Sequence, residues 1–272
     1  MTASDLTFGV EIECYMPIND APTVGGYHAG LQIAELPQGW NAQRDGSIRA
    51  SRGFVGVEVV SPVLQGAEGM AQLKLVTEWL RSKGARVNRT TGLHVHVGYD
   101  RSAESLKKIV TVAANFEKAL YASTGTKTRE QGRYCQPVQS SRLHREGRYE
   151  MTDRYHVLNV QTGKPTVEFR AFAGTTNYLK IVAHVLTCLG LVEKSQKVQR
   201  LPNWTAKTVK ETSPIARGGE GLTALNRLFY WMGWTKGRTQ YTFGEIEGRQ
   251  GPKLRTLKNQ LVKMARKYDA AV

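Results

Sequence analysis

The chain has 272 residues, 40% of them hydrophobic and 22% charged, which suffices for a buried core in one large domain or a domain with an appendage. A basic, apolar leader is missing from "MTASDLTFGV", the longest apolar run "IVAHVLTCLGLV" is short and carries His184, and Cys14, Cys135 and Cys188 lack CxxC spacing; a soluble cytoplasmic protein without a disulfide framework or structural zinc is expected. The 38 basic and 23 acidic side chains leave +15, distributed as −2 over residues 1–100, +7 over 101–194 and +10 over 195–272, a balance that favours anionic partners or simply a solvated basic surface.

In chain order, "LTFGVEIECY" and "GFVGVEVVSP" alternate apolar and polar residues as half-buried strands do. A helix follows, with Met70, Leu73, Val76, Trp79 and Leu80 at helical spacing before Gly84. A third strand, "TGLHVHVGY", precedes a second helix carrying Leu106, Ile109, Val110, Ala113, Phe116 and Leu120. The polar segment 127–156 then supplies Lys127, Arg129, Arg133, Arg142, Arg145, Arg148 and Arg154, of which two or three are expected to touch phosphate and most to belong to a charged surface loop. A fourth strand, "PTVEFRAFAG", leads into a helix over about Tyr178–Lys194. This order predicts an α+β fold in which helices back a largely antiparallel sheet, over residues 1–194.

From about Ser195 the composition shifts. Pro202, Pro214 and the "RGGEG" turn suggest a linker or loop, followed by the apolar helix "LTALNRLFYWMGW" and the basic helix "PKLRTLKNQLVKMARKY". Residues 195–272 are therefore expected to form a small, mostly helical, basic extension. In its last helix Leu254, Leu257, Leu261 and Met264 make one stripe, which suits a docked helix with a solvated basic face; a polyanion contact is the alternative.

Successive strand side chains point to opposite faces, so each strand divides its residues the same way. Glu11 and Glu13 oppose Val10 and Ile12; Glu58 opposes Val57 and Val59; His94 and His96 oppose Leu93, Val95 and Val97; Glu168 and Arg170 oppose Val167, Phe169 and Ala171. A merely wet face would draw on Lys, Thr, Ser and Gln, whereas these sets contain carboxylates, imidazoles and one guanidinium. If the strands are neighbours, four glutamates converge and must raise one another's pKa unless cations neutralise them. Oxygen-rich ligation suits Mg²⁺ or Mn²⁺, with more than one ion, and a catalytic zinc is the alternative. Mg²⁺ usually shares its sphere with phosphates, which points to a nucleotide, with Arg170 on the same face to meet phosphoryl charge. Neither a GxxxxGK[ST] loop nor a GxGxxG turn is present, nor GxSxG or HExxH.

In this order, "FGVEIE", "DGS" at Asp45–Ser47, "GVEVVSP", "TGLHVHVG", "RYHVLN" at Arg154–Asn159 and "TVEFRAFAGT" resemble the putative amidoligase family, small bacterial and phage relatives of glutamine synthetase and glutamate:cysteine ligase. The resemblance covers roughly residues 6–190. It implies a glutamine synthetase-like antiparallel sheet with a polar metal-binding face, and ATP-dependent joining of a carboxylate to an amine through an acyl phosphate. It further implies that Glu11 and Glu13 bind two neighbouring ions, that Glu58 joins one site, and that His94 and Glu168 complete the other. His96 would contact the nucleotide, Arg170 the transferred phosphate, and Asp45 occupies the place of a further acidic ligand. Arg154, Asn159 and Arg133 are candidates for phosphate or substrate contacts. Small-molecule or peptide carboxylates and amines are the implied substrates, without a membrane partner. A metal-dependent phosphoesterase or nuclease is the competing class, since clustered carboxylates and a +15 charge would serve nucleic acid too. A non-catalytic basic module with a decayed metal face is the third, opposed by the completeness of the polar set.

Overall fold

The computed structural model describes residues 5–138, 154–197, 199, 213, 215–234, 245–246 and 249–271. The four alternating segments form the long strands β1 (Thr7–Pro17), β4 (Phe54–Val60), β6 (Gly92–Gly98) and β8 (Thr166–Ala173). Four short strands join them: β2 (Leu31–Gln32), β3 (Asn41–Gln43), β5 (Leu64–Gln65) and β7 (Leu158–Asn159). The result is an open eight-stranded antiparallel sheet in the order β2-β3-β4-β1-β6-β8-β7, with β5 paired to the start of β1. A separate hairpin consists of β9 (Glu245–Ile246) and β10 (Arg249–Gln250).

One face of the sheet is apolar because every second residue of the long strands is. Val10, Ile12, Cys14 and Met16, with Val57, Val59, Leu93, Val95, Val97, Val167 and Phe169, are buried there. Helices α1 (Gly66–Ser82), α2 (Ala103–Ala122) and α3 (Tyr178–Lys197) supply the other half of the core through Met70, Leu73, Val76, Ile109, Val112, Phe116, Ile181 and Val185. The fold is thus α+β with helices on one side and the polar side of the sheet left for chemistry.

A bulge lies between Leu93 and Val95 of β6, where the partners on β8 step from Phe172 to Phe169. The extra residue of β8 leaves Arg170 with Glu168 on the polar face and sends Phe172 back to the core, where its ring stacks on His184 of α3 at 4.2 Å. His184 is fully enclosed, and burial, with Lys180 nearby, holds its pKa down at about 3, so this histidine is a neutral core residue.

Helix α3 runs on through Ser195, whose buried hydroxyl donates to the Val192 carbonyl oxygen. The last two helices, α4 (Glu220–Trp231) and α5 (Leu254–Ala270), pack on α2 and α3, and Leu222, Leu225, Leu228, Leu254, Leu257 and Leu261 join the same core as the strands. "RGGEG" acquires a reason here. Asp269 of α5 caps α4 by accepting from the amides of Gly221 (2.7 Å) and Leu222 (3.0 Å), and a Cβ at Gly219 or Gly221 would fall 2.4 Å from the Asp269 Cγ or 2.6 Å from the Tyr268 ring. Pro202 and Pro214 lie outside the described residues. No described helix is long and apolar enough to cross a membrane.

Candidate active site

The register of the sheet sets the polar residues side by side. Glu13 stands opposite Glu58, Glu11 opposite His94, and His96 opposite Glu168. The row continues at both edges, where Gln43 pairs with Glu58 and Asn159 with Glu168. Alternation thus turns into a contiguous polar patch across six strands, with the amides of β3 and β7 at its edges.

His94 is the hub. Its Nδ1 lies 3.0 Å from Glu11 Oε2 and 3.4 Å from Glu168 Oε1, and its Nε2 is 3.6 Å from Glu13 Oε1. His96 Nε2 is 3.2 Å from the other oxygen of Glu11. Neutral donors orient the carboxylates: the Gly92 amide donates to Glu13 Oε2 (2.6 Å), Gln43 Nε2 to Glu58 Oε2 (2.6 Å) and Asn159 Nδ2 to Glu168 Oε2 (2.7 Å). Arg170 donates through Nη1 to Glu168 Oε1, while its buried Nε has no hydrogen-bond partner. Glycine at position 92 follows from crowding, because a Cβ there would sit 3.1 Å from Arg129 Nη1 and 3.2 Å from His94 Nε2.

Three overlapping groups place one ligand atom from each member within 4.8 Å of the others: Glu11, Glu58 and His94; Glu11, His96 and Glu168; and Glu13, Asp45 and Glu58. Asp45, held in a turn by the Ser47 amide (2.6 Å), therefore joins the set, and His96 groups with Glu11 and Glu168 as closely as His94 does with Glu11 and Glu58.

The electrostatics divide these groups unequally. Burial pushes the Glu11 carboxyl up, but hydrogen bonds and charge from His94 and His96 outweigh it and hold Glu11 well below the usual range. His96 is the complement, lowered by burial and raised further by Glu11, so that it ends above its ordinary value. Burial also raises Glu168, against the stronger pull of His94, Arg170 and His96, which leaves it lowered. Glu58 has no such cation. Burial, then the charges of Glu11, Glu13 and Asp45, with only the Gln43 amide opposing, push it up to about 8. At neutral pH Glu58 holds a proton in a place where its neighbours call for positive charge. A hard divalent cation fits this oxygen-rich set, and would displace that proton.

The patch floors a cleft with two lobes of about 230 and 360 Å³. The smaller is lined by Glu13, Asp45, Thr90, Arg129, Arg154 and Arg170, with tyrosines 27, 134 and 155; the larger by Glu11, Glu58, His96, Asn159, Lys164 and Glu168, among others. A third, mostly apolar hollow shares Glu11, His96 and Lys164 with the larger lobe and is lined beyond them by Gly9, Val60, Pro62, Val63 and Gly98. The polar face thus shrinks from Glu11 and His96 to Gly9 and Gly98 along β1 and β6, which leaves a shelf beside the charged row.

Most expected residues meet in this cleft. Arg154 lines it and donates to the Tyr27 hydroxyl (2.6 Å). Arg133 does not line it: it is exposed, lies over the Tyr134 ring and donates to that residue's hydroxyl. Arg129 from the same segment is buried there, with Nη2 on the Arg170 carbonyl oxygen (2.6 Å) and Nε without a partner. Lys127 sits instead by Tyr268 of α5, and Arg142, Arg145 and Arg148 lie outside the described residues. Gln43, Tyr27 and Lys164 were not anticipated, since none stands in a long alternating strand.

Residues 26–152 match a family model described as putative amidoligase enzyme. That ligase family is the one the motifs resemble, and the matched span includes Asp45, Glu58, His94 and His96. β1 lies before it and β8 after it, and Glu11, Glu13, Glu168 and Arg170 meet the residues of the matched span through the pairing of the sheet. No curated protein matches the chain.

Proposed function

We propose that the protein is an ATP-dependent carboxylate–amine ligase with a glutamine synthetase-like sheet, working through an acyl phosphate. What carries this is the set of three interlocking carboxylate groups on one sheet face, two of them including a histidine, with a raised Glu58 shared by two of them and arginines on the flank. A carboxylate oxygen of the substrate attacks the γ-phosphorus of ATP and ADP leaves; the amine then attacks the acyl carbon, phosphate leaves, and the amine's surplus proton passes to solvent or a nearby base. Mg²⁺ or Mn²⁺, held as two or more ions by Glu11, Glu13, Glu58, His94, His96 and Glu168 with Asp45 alongside, would supply charge neutralisation for the phosphate oxygens.

The chain's own groups do the positioning. Arg170, tethered to Glu168 by one nitrogen, offers the rest of its guanidinium to the transferring phosphoryl group. Asn159 fixes the other oxygen of Glu168, and Gln43 does the same for Glu58. The larger lobe and the shelf beyond His96 suit the phosphates and the base of the nucleotide, with Lys164 between them. The smaller lobe, with Arg129 and Arg154, suits a substrate that brings a carboxylate.

Calorimetry with ATP and Mg²⁺ tests this on the wild-type chain and on Glu168→Gln. Binding that needs the metal and is lost in the variant supports the proposal. No binding of ATP, together with metal-dependent cleavage of DNA or RNA, would assign the same carboxylates to a phosphoesterase instead.

A further inference from the structure

The charge of α5 is in excess of anything the cleft requires. Its sequence holds Arg255, Lys258, Lys263, Arg266 and Lys267 against one acid, Asp269, and that carboxylate is committed to capping α4. Lys258 is likewise committed, to the Trp234 carbonyl oxygen. The other four cations are exposed, and among the described residues none has an ion-pair partner. At about 100° per residue they fall within roughly a third of the helix circumference, together with exposed Thr256 and Asn259.

Neighbouring elements extend the patch. Lys180 of α3 is near enough to Lys263 and Lys267 that, after burial, their charges depress its pKa. Lys127 lies 5.9 Å from the centre of the Tyr268 ring, and Gly125 packs on α5 so closely that a Cβ would be 3.6 Å from Lys267 Cβ. This loop enters the cleft two residues later at Arg129. The basic face therefore adjoins the segment that lines the smaller lobe.

We propose that the exposed face of α5, with Lys180 and Lys127, docks the phosphate backbone of a nucleic acid. The choice of partner follows from the surface. Its apolar residues Leu254, Leu257, Leu261 and Met264 are buried, and none of the exposed large hydrophobic side chains among the described residues belongs to α5, so it offers nothing to insert into a bilayer. From Arg255 to Lys267 the helix rises about 18 Å, a span over which a duplex presents a dense row of phosphates. Same-sign cations interspersed with neutral hydrogen-bonding side chains suit a repeating anion, read for charge and not for sequence.

The test is fluorescence anisotropy of the full chain with a labelled duplex of arbitrary sequence, across a salt series, beside the variant K263E/R266E/K267E. Neutralising about four to six phosphates predicts a slope of log affinity against log salt of roughly −4 to −5. The variant should lose at least about tenfold in affinity, with the slope reduced. Its thermal unfolding and its stabilisation by Mg²⁺ should match the wild type, because these side chains neither pack in the core nor line the cleft. Duplex binding that the variant retains would overturn the proposal. So would absence of binding at low salt, or equal affinity for phosphatidylserine vesicles through the same three residues.

Discussion

Replacement of Glu58 by Gln gives a sharp test of the polar face, because shape is preserved while the titrating group is lost. The Glu58 carboxyl moves from an ordinary value of 4.5 to about 8 in the folded chain, through burial first and then the charges of Glu11, Glu13 and Asp45. A carboxyl raised on folding stabilises fully below its unfolded pKa and loses that contribution as pH rises through the folded value. At 1.36 kcal/mol for each tenfold change in proton affinity, the loss grows from near zero at pH 4 to roughly 3 kcal/mol at pH 7 and levels off near 5 kcal/mol above pH 8. The variant's amide oxygen can still accept from Gln43, so that hydrogen bond survives. Chelator-treated protein should therefore show Glu58→Gln gaining on wild type as pH rises from 5 to 9, by about ten degrees in Tm at the upper end. Contributions from Glu11, Glu168 and His96 are present in both proteins and largely cancel. A difference that does not vary with pH would refute the assignment of Glu58 as the protonated member of the set.

Divalent cations should narrow that gap at pH 7 to within a fraction of a kcal/mol, since Mg²⁺ or Mn²⁺ at a hundred times its Kd stabilises wild type by about 2.7 kcal/mol and Glu58→Gln by much less, as thermal melts would record. His94→Ala should weaken metal stabilisation most, because His94 lies within 3.6 Å of three glutamates; its metal titration midpoint should rise by a factor of ten or more, and an unshifted midpoint would remove it from the ligand set. Gly92→Ala should cost about 1–3 kcal/mol through displacement of Arg129 and His94, visible as a lower denaturant midpoint with an unchanged m-value. Asp269→Ala should cost about 1 kcal/mol by uncapping α4, and leave the Mg²⁺ response of the cleft intact.

The long elements were legible because their periodicity is long enough to count. β1, β4, β6 and β8 each show the alternation that sorts Glu11, Glu13, Glu58, His94, His96, Glu168 and Arg170 onto one face, and the structure brings all seven together. Strands β2, β3, β5 and β7 have two or three residues, too few for a pattern, so Gln43 was invisible and Asn159 entered only through a motif. The bulge opposite His94 was also hidden, since "TVEFRAF" reads as unbroken alternation whether or not its partner slips. In the arginine-bearing segment, residue type could not tell Arg129 from Arg133. Chain path decides that one enters the cleft and the other lies over Tyr134 at the surface. The apolar stripe of α5 was plain, whereas the capping of α4 by Asp269 depends on two helices meeting end to side.

The central claim, that this face activates a carboxylate at the expense of ATP, is tested most directly by trapping with hydroxylamine. The protein, Mg²⁺, ATP and a pool of amino acids and short dicarboxylic acids are incubated with hydroxylamine, and ADP and hydroxamate are measured together. The proposal predicts hydroxamate and ADP in equal amounts, both dependent on the acid pool and both lost in Glu168→Gln. ADP release that ignores the acid pool, or nucleic-acid cleavage under the same metal with ATP left intact, would contradict it.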